Sequence, residues 1–461
     1  MAEGTNQKFQ NDLTQGGVAS RLLRFSAPFL LSMLIQQSYS MADLLIVSHF
    51  SGEATVAGVN NGGQLTFLAV AMAIGLSVGG TILIGQYFGA RRMNDVSETA
   101  STMLSALLLI SVLMAALFLS LGGVFLRLMQ IPDASFSEAR TYLNICVCGL
   151  PFTFMYNAIS GILRGMGDSK RPLIFVAGAC VVNVVLDLIL VAGFGMGAAG
   201  VAAATVVSQA GSVIVSALYL ARGGFMFDFK PGSFVIHRDK LRLILKLGIP
   251  ASISQVTVNL SFLLMTALVN GYGVAEAAAA GLAGRFNGFA IMPAIAVSNS
   301  VSMMSAQNLG ANRPDRALRA MSAGIGMAFV MSALVFTAVR FMSRDIMGVL
   351  SSSPEVIDAG VIYMRAFSWD FLIVPFTFCF VGLVNGAGRA NISMINTVIT
   401  SVGLRVPAAL LLSRTFGLGL GGVGLAAPAA TAGGLIFLSC YLLSGRWRVA
   451  VIHSGGPVET Q

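Results

Sequence analysis

Twelve apolar stretches follow one another along this chain, and most of its charges lie in the segments between them. They run roughly over 20–48, 54–88, 97–122, 137–163, 172–193, 198–221, 241–269, 275–307, 316–341, 357–385, 390–412 and 420–444. A hydrocarbon core about 30 Å thick takes about 20 apolar residues of helix to cross. Each stretch therefore predicts a spanning helix, and the longer ones tilt or reach into water. The expected fold class is an all-α integral membrane protein with twelve transmembrane helices. Only 10% of the 461 residues are charged, against about 25% in a soluble domain, which excludes a soluble core. The 52 glycines suit close helix packing in lipid.

The charges between the stretches alternate in kind. Lys8, Arg21 and Arg24 precede or open the first span. Arg91 and Arg92 follow the second, and Arg164, Lys170 and Arg171 the fourth. Arg222, Lys230, Arg238, Lys240, Arg242 and Lys246 follow the sixth, and Arg313, Arg316 and Arg319 the eighth. Arg389 follows the tenth, and Arg446 and Arg448 the twelfth. The other loops are poor or mixed in charge. Basic loops stay in the cytoplasm, so both termini and the even-numbered loops are expected there, in a multi-pass protein of the cytoplasmic membrane. A net charge of +9 spread over such loops orients a membrane protein and does not point to nucleic acid. A polar N-terminus running into a full span argues against a cleavable signal peptide.

The chain also repeats itself. Gly85-Gln86-Tyr87-Phe88-Gly89-Ala90 returns as Ala306-Gln307-Asn308-Leu309-Gly310-Ala311. Pro151-Phe152-Thr153-Phe154 returns as Pro375-Phe376-Thr377-Phe378, and Arg164-Gly165-Met166-Gly167 as Asn385-Gly386-Ala387-Gly388. Phe194-Gly195-Met196-Gly197 returns as Phe416-Gly417-Leu418-Gly419. Six spans per repeat is an even number, so both halves keep one orientation. Two six-helix bundles are expected, as parallel repeats related by a pseudo-two-fold axis along the membrane normal. The division reads 1–221 as an N-lobe, 222–240 as a cytoplasmic linker and 241–461 as a C-lobe. That is the plan of an alternating-access transporter.

Polar residues inside spans are costly in lipid and are usually kept for function. Asn183 and Asp187 lie four apart in the run from 173 to 194, on one helical face. Pro28 lies inside span one, where it removes a backbone bond and offers a hinge. Asp370 lies on span ten; Arg365, five residues earlier, is placed to neutralise it, which favours a structural role. Arg285 on span eight either pairs with a carboxylate or snorkels to the surface. Cys146, Cys148, Cys180, Cys379 and Cys440 all fall in apolar runs without disulfide or zinc spacing. His49, His237 and His453 sit at span ends or loops, so no catalytic or metal constellation is read and no enzyme is expected.

Taken together, the chain resembles the multidrug and toxic compound extrusion (MATE) family, nearer its DinF-like branch than its NorM-like one. The resemblance rests on Pro28 with Asp43 on span one, on the two Gln-containing repeats, on the turn from Leu163 to Asp168, and on Asn183 with Asp187. It implies a cation site in the N-lobe built from Asp43, Tyr142, Asn183, Asp187 and Thr205. Depth agrees: at about 1.5 Å per residue, all five lie roughly 8–15 Å beneath the outer surface. The site has no counterpart in the second half, where Met265 answers Asp43 and residues 405–409, which answer Asp187, include no acid. Val258 and Asn259 occupy the span-seven neighbourhood where NorM-like members carry a Glu, so Asp370 is the only acid left near that second site.

The function so implied is a secondary antiporter that exports amphipathic, cationic organic compounds in exchange for H⁺. Na⁺ is the competing ion, since Asp43, Asn183, Asp187 and Thr205 also offer oxygens to a hard cation. No cofactor and no other metal are expected, and a monomer in the bilayer suffices. The alternative is a lipid-linked saccharide flippase of the same superfamily. A flippase favours a cationic cavity for a pyrophosphate, whereas this chain carries buried Asp and few buried Arg or Lys.

Overall fold

The computed structural model describes residues 11–453 apart from 224, 226 and 228. Lys8 and both chain ends lie outside the described residues. The chain is all-helical, with no strand among the described residues. The helices are α1 (Val18–Phe50), α2 (Glu53–Gly89), α3 (Met93–Leu128), α4 (Asp133–Cys148), α5 (Leu150–Gly165), α6 (Lys170–Asp187), α7 (Gly197–Arg222) and α8 (Arg238–Asn270). They continue as α9 (Val274–Ala290), α10 (Met292–Gly310), α11 (Pro314–Leu350), α12 (Pro354–Phe367), α13 (Asp370–Gly386), α14 (Ala390–Val398), α15 (Arg405–Leu410) and α16 (Gly419–Leu443).

Among the described residues, ten helices, some of them made of two successive segments, are long and apolar enough to cross a membrane; the count is twelve when the bent pairs α4–α5 and α12–α13 are each one span. The protein is thus the expected multi-pass membrane protein. The bends, 48° and 46°, fall where Pro151 opens α5 and where Ser368 and Trp369 separate α12 from α13. Two helices outrun their apolar stretches. α3 continues to Leu128, and α11 kinks at Met342 before continuing to Leu350.

Packing sorts the chain into two compact units. One holds Leu31–Ser252 with the segment ending at Asp12; the other holds Leu13–Leu30 with Ile253–Gln461. Packing and chain order thus differ at two helices: α1 and α8 each contribute to both units. The two helices change unit after Leu30 and after Ser252, two residues past Pro28 and Pro250.

In the first unit α2 is the central helix, with α3, α4 and α5 packed around it. Its stretch from Gly75 to Gly89 is almost entirely buried. In the second unit the corresponding position is taken by α10, packed on α11 and α13. Each unit carries the same serine latch: Ser77 Oγ donates to the Asn157 carbonyl at 2.7 Å, and Ser298 Oγ to the Phe378 carbonyl at 2.6 Å.

The repeated sequence motifs are turns and clamps of this frame. Gly167 and Gly388 both take left-handed φ, +85° and +75°, where a side chain is strained. Gln307 Oε1 accepts from the Leu13 N–H at 2.9 Å, Asn308 Nδ2 donates to the Leu13 carbonyl at 3.3 Å, and Arg316 donates to the Gly16 carbonyl at 2.7 Å. The Gln-Asn-Leu-Gly motif therefore seats the segment that leads into α1. In the first unit the segment leading into α8 docks on α3: Ser101 Oγ donates to the Ser233 and Val235 carbonyls, at 2.7 and 2.9 Å. Lys240 is buried there among Asp95, Glu98 and Asp239, with its ammonium 4.7 Å from the Tyr87 ring centre.

Candidate functional site

Four helices of the first unit bring the span-borne polar groups together. Asp187 ends α6 and is fully buried; Asn183, one turn earlier, is 1% exposed. A π-helical segment, Leu188–Gly193, follows Asp187 directly. Such segments widen a helix locally and concentrate at functional sites. Asp43 on α1 faces Asp187 closely enough for the two carboxyls to act on each other. The two carboxyls are close enough to share a hydrogen bond when one of them carries a proton, and both amide atoms of Asn183 are buried without a protein partner. Buried polar groups are normally paired, so the buried carboxylate and amide stand out from the apolar helices around them.

Tyr142 reaches the cluster from α4 because α2 offers no side chains in the way. A Cβ on Gly62 would lie 2.9 Å from the Tyr142 ring and from the Ala139 carbonyl. Tyr142 shares the electrostatic field of Asp43 and lies beside Cys146, one turn along α4. Thr205 sits on α7, which packs on α6 and α4, and its hydroxyl is also buried and unpartnered.

Apolar residues close the cluster one turn farther along each helix. Val47, Val191 and Val201 are all at most 1% exposed and pack together, with Val56, Val59 and Tyr142 around them. Each lies four residues from a polar group of the site: Val47 from Asp43, Val191 from Asp187, Val201 from Thr205.

Three residues join the site that sequence reasoning passed over. Tyr39 and Cys180 lie within the electrostatic reach of Asp43, and Cys146 lies beside Tyr142. The signal was present. Tyr39 precedes Asp43 by one turn, Cys146 follows Tyr142 by one turn, and Cys180 precedes Asn183 by three residues. The search for charge skipped a phenol and two thiols.

The weaker candidates lie elsewhere. Pro28 is inside α1, which continues as helix through it. Arg285 is exposed on α9 and makes no ion pair among the described residues, so its pairing with a carboxylate is not found. Asp370 is buried at 2% exposure, but Arg365 does not neutralise it. Arg365 Nε donates to Ser343 Oγ at 3.1 Å instead. The 46° bend between α12 and α13 separates the helix that carries Arg365 from the one that Asp370 opens. The cation that acts on Asp370 is Arg405.

The family model described as MatE matches this chain twice, over 28–189 and 250–411, each time for the corresponding part of the repeat. The chain belongs to the MatE family. Its members are membrane transporters, not enzymes, and draw on ion gradients in place of cofactors. Among curated relatives, the probable multidrug resistance protein YoeA of Bacillus subtilis (strain 168) is 30% identical over 90% of this chain and 92% of its own. The probable multidrug resistance protein YpnP of the same organism is 28% identical over 95% and 97%. In fold, the chain is similar to an outward-facing multidrug resistance MATE family transporter of the MOP superfamily. The TM-score is 0.89 at 23% identity, over 95% of this chain and 98% of that one. Probable multidrug resistance is thus what the names of these two relatives record, over almost the whole length of this chain.

Proposed function

We propose that this MatE protein is a secondary antiporter that exports amphipathic organic cations, with the cluster of Asp43, Tyr142, Asn183, Asp187 and Thr205 as its coupling-ion site. The observation that carries the reading is the facing pair Asp43 and Asp187, the latter fully buried, with the packed group Val47, Val191 and Val201 one turn away. Two like charges so placed are costly, and one positive charge between them offsets much of that cost. A substrate cation and a coupling cation then compete for the same field, which is what an exchanger needs. Asp43 and Asp187 hold the ion, Asn183 and Thr205 add neutral oxygens, and Tyr142 orients the ring of ligands from α4. Pro28 serves as the hinge at which α1 repacks when the pair is neutralised. Both termini are cytoplasmic in this scheme, and the protein works as a monomer.

The coupling ion is H⁺ in this reading. An inward proton adds about 2.3 kcal/mol per charge for each 100 mV of membrane potential. Proteoliposomes loaded with ethidium test it: a pH gradient in sodium-free buffer is expected to drive substrate movement. Transport that needs a Na⁺ gradient and ignores pH reassigns the same oxygens to Na⁺.

Orientation is checked separately. A single-cysteine variant carrying Lys230→Cys is expected to resist a membrane-impermeant maleimide on intact cells and to react after permeabilisation. Labelling of intact cells places the segment before α8 outside and reverses the depth argument for the site.

A further inference from the structure

Arg405 stands where the second half repeats Asn183. The repeat runs at an offset of 222 residues, as Gly195 and Gly417 show in the left-handed turns they share, and 222 residues past Asn183 the chain carries a guanidinium. The helix prepares the position. α14 gives way to the π-helical segment Ile399–Leu404, and α15 opens on Arg405. The first unit has its π-helical segment directly after Asp187. Both halves thus place a polar group beside a widened turn, but with different charge.

The surroundings of Arg405 belong to a site rather than to a salt bridge. Its guanidinium lies over the Phe262 ring, 5.8 Å from the centre, and its Nε is buried without a partner. Asp370 is 2% exposed, with Oδ1 buried and unpartnered. Thr431 reaches Asp370, and both Asp370 and Arg405 act on the Tyr363 phenol. Yet among the described residues Arg405 forms no ion pair within 4.0 Å. A buried anion and a cation that stop short of each other forfeit the contact that justifies burying them. Packing alone would close the gap.

We propose that Arg405 and Asp370 form a second ligand site, within the second unit, that takes zwitterionic amphiphiles: a carboxylate of the transported molecule on Arg405, and a donor of the same molecule on Asp370. The planar guanidinium fork matches a carboxylate with two parallel hydrogen bonds and stacks on Phe262 at the same time. Arg405 is only partly buried and Phe262 is 57% exposed, so the Arg405 side of the pair lies toward the helix surface while Asp370 lies deeper. The proposal rests on the transport reading above and widens its substrate class from cations to molecules that also carry an acid.

Two dyes that differ only at the acid test it: a rhodamine free acid and its methyl ester, each titrated against the purified full-length transporter by fluorescence polarisation. Arg405→Gln is expected to weaken binding of the acid about tenfold or more, the scale of a lost charged hydrogen bond, while the ester changes less than about twofold. Arg405→Lys is expected to recover part of the acid's binding, since it keeps charge without the fork. On the wild-type protein, excess benzoate is expected to displace the acid and leave the ester bound, a measurement that needs no variant to fold. Equal losses of acid and ester in Arg405→Gln, unchanged binding of the acid, or failure of the acid to bind the wild type overturns the proposal. Export of the ester by intact cells reports on the transport reading separately. Its loss counts against that reading, while an exported ester with an unbound acid removes this site alone.

Discussion

Asp187→Asn is expected to reduce ethidium export to the level of cells lacking the transporter, at matched amounts of protein in the membrane. Asp43→Asn is expected to do the same. The substitution keeps volume and polarity and removes only the charge. If the carboxylate were there for packing, Asn would serve as well, and export would stay at the wild-type level. The purified Asp187→Asn protein is expected to melt at or above the wild-type temperature, because a buried carboxylate facing a second one costs stability that a neutral amide does not. Loss of transport with stability kept is the signature of a functional charge. Tyr142→Phe and Thr205→Ala each remove one neutral oxygen and are expected to slow export by a few-fold, the scale of one uncharged hydrogen bond, without abolishing it. A Thr205→Ala variant as inactive as Asp187→Asn would mean that the hydroxyl, not the carboxylate pair, defines the site.

Hydropathy made the twelve spans legible because lipid imposes helix on every long apolar run. The carboxyl cluster was legible for a related reason. A charge in such a run has so few uses that Asp43 and Asp187 stand out, and helical spacing then fixes their faces. Other features left no sequence trace. The π-helical segment Leu188–Gly193 contains ordinary apolar residues, and Ile399–Leu404 adds only Thr400 and Ser401 to such residues; neither composition marks a widened turn. The bend between α12 and α13 has no proline at its break, so Arg365 was assigned a partner it turns away from. The true neighbour of Asp370, Arg405, is 35 residues distant in sequence. Only packing of separate helices brings such pairs together, and no local rule reports it. The exchange of helix segments between the two units at Leu30 and Ser252 is likewise a property of packing. The prolines two residues before each boundary are the sole local hint.

Gly386→Val is expected to be strongly damaging in the second unit. α13 lies on α10 through Gly382 and Gly386, four residues apart on one face. A Cβ on Gly386 would sit 2.4 Å from the Ser302 carbonyl oxygen and 2.7 Å from the Ser305 Cβ. A Cβ on Gly382 would sit 2.5 Å from the Ser298 carbonyl oxygen. Small residues in this spacing let helix backbones touch, the main source of helix association in lipid. The first unit repeats the device with Gly161 and Gly165 of α5 against α2, but there the obstacles to a new Cβ begin with side chains. They are Thr81 Oγ1 at 2.5 Å for Gly161 and Ile84 Cγ2 at 2.7 Å for Gly165, with the Thr81 carbonyl oxygen farther off at 2.9 Å from the latter, against 2.4 Å for the carbonyl that faces Gly386. A side chain rotates away; a helix carbonyl moves only with its helix. Overpacking of a tight core costs about 1–3 kcal/mol when neighbours adjust, and more when the obstacle is backbone. Gly386→Val is therefore expected to lower the melting temperature of the purified protein by roughly 5–10 °C or to remove its monodisperse chromatographic peak. Gly165→Val is expected to cost less. Gly178→Ala and Gly211→Ala, where no atom lies within 4 Å of the new Cβ, are expected to leave stability unchanged or raise it, since Ala is the better helix former. Equal damage from Gly165→Val and Gly386→Val would mean that the contact seam between α13 and α10 is no tighter than that between α5 and α2. Tolerance of valine at Gly386 would mean that the backbones do not touch there at all.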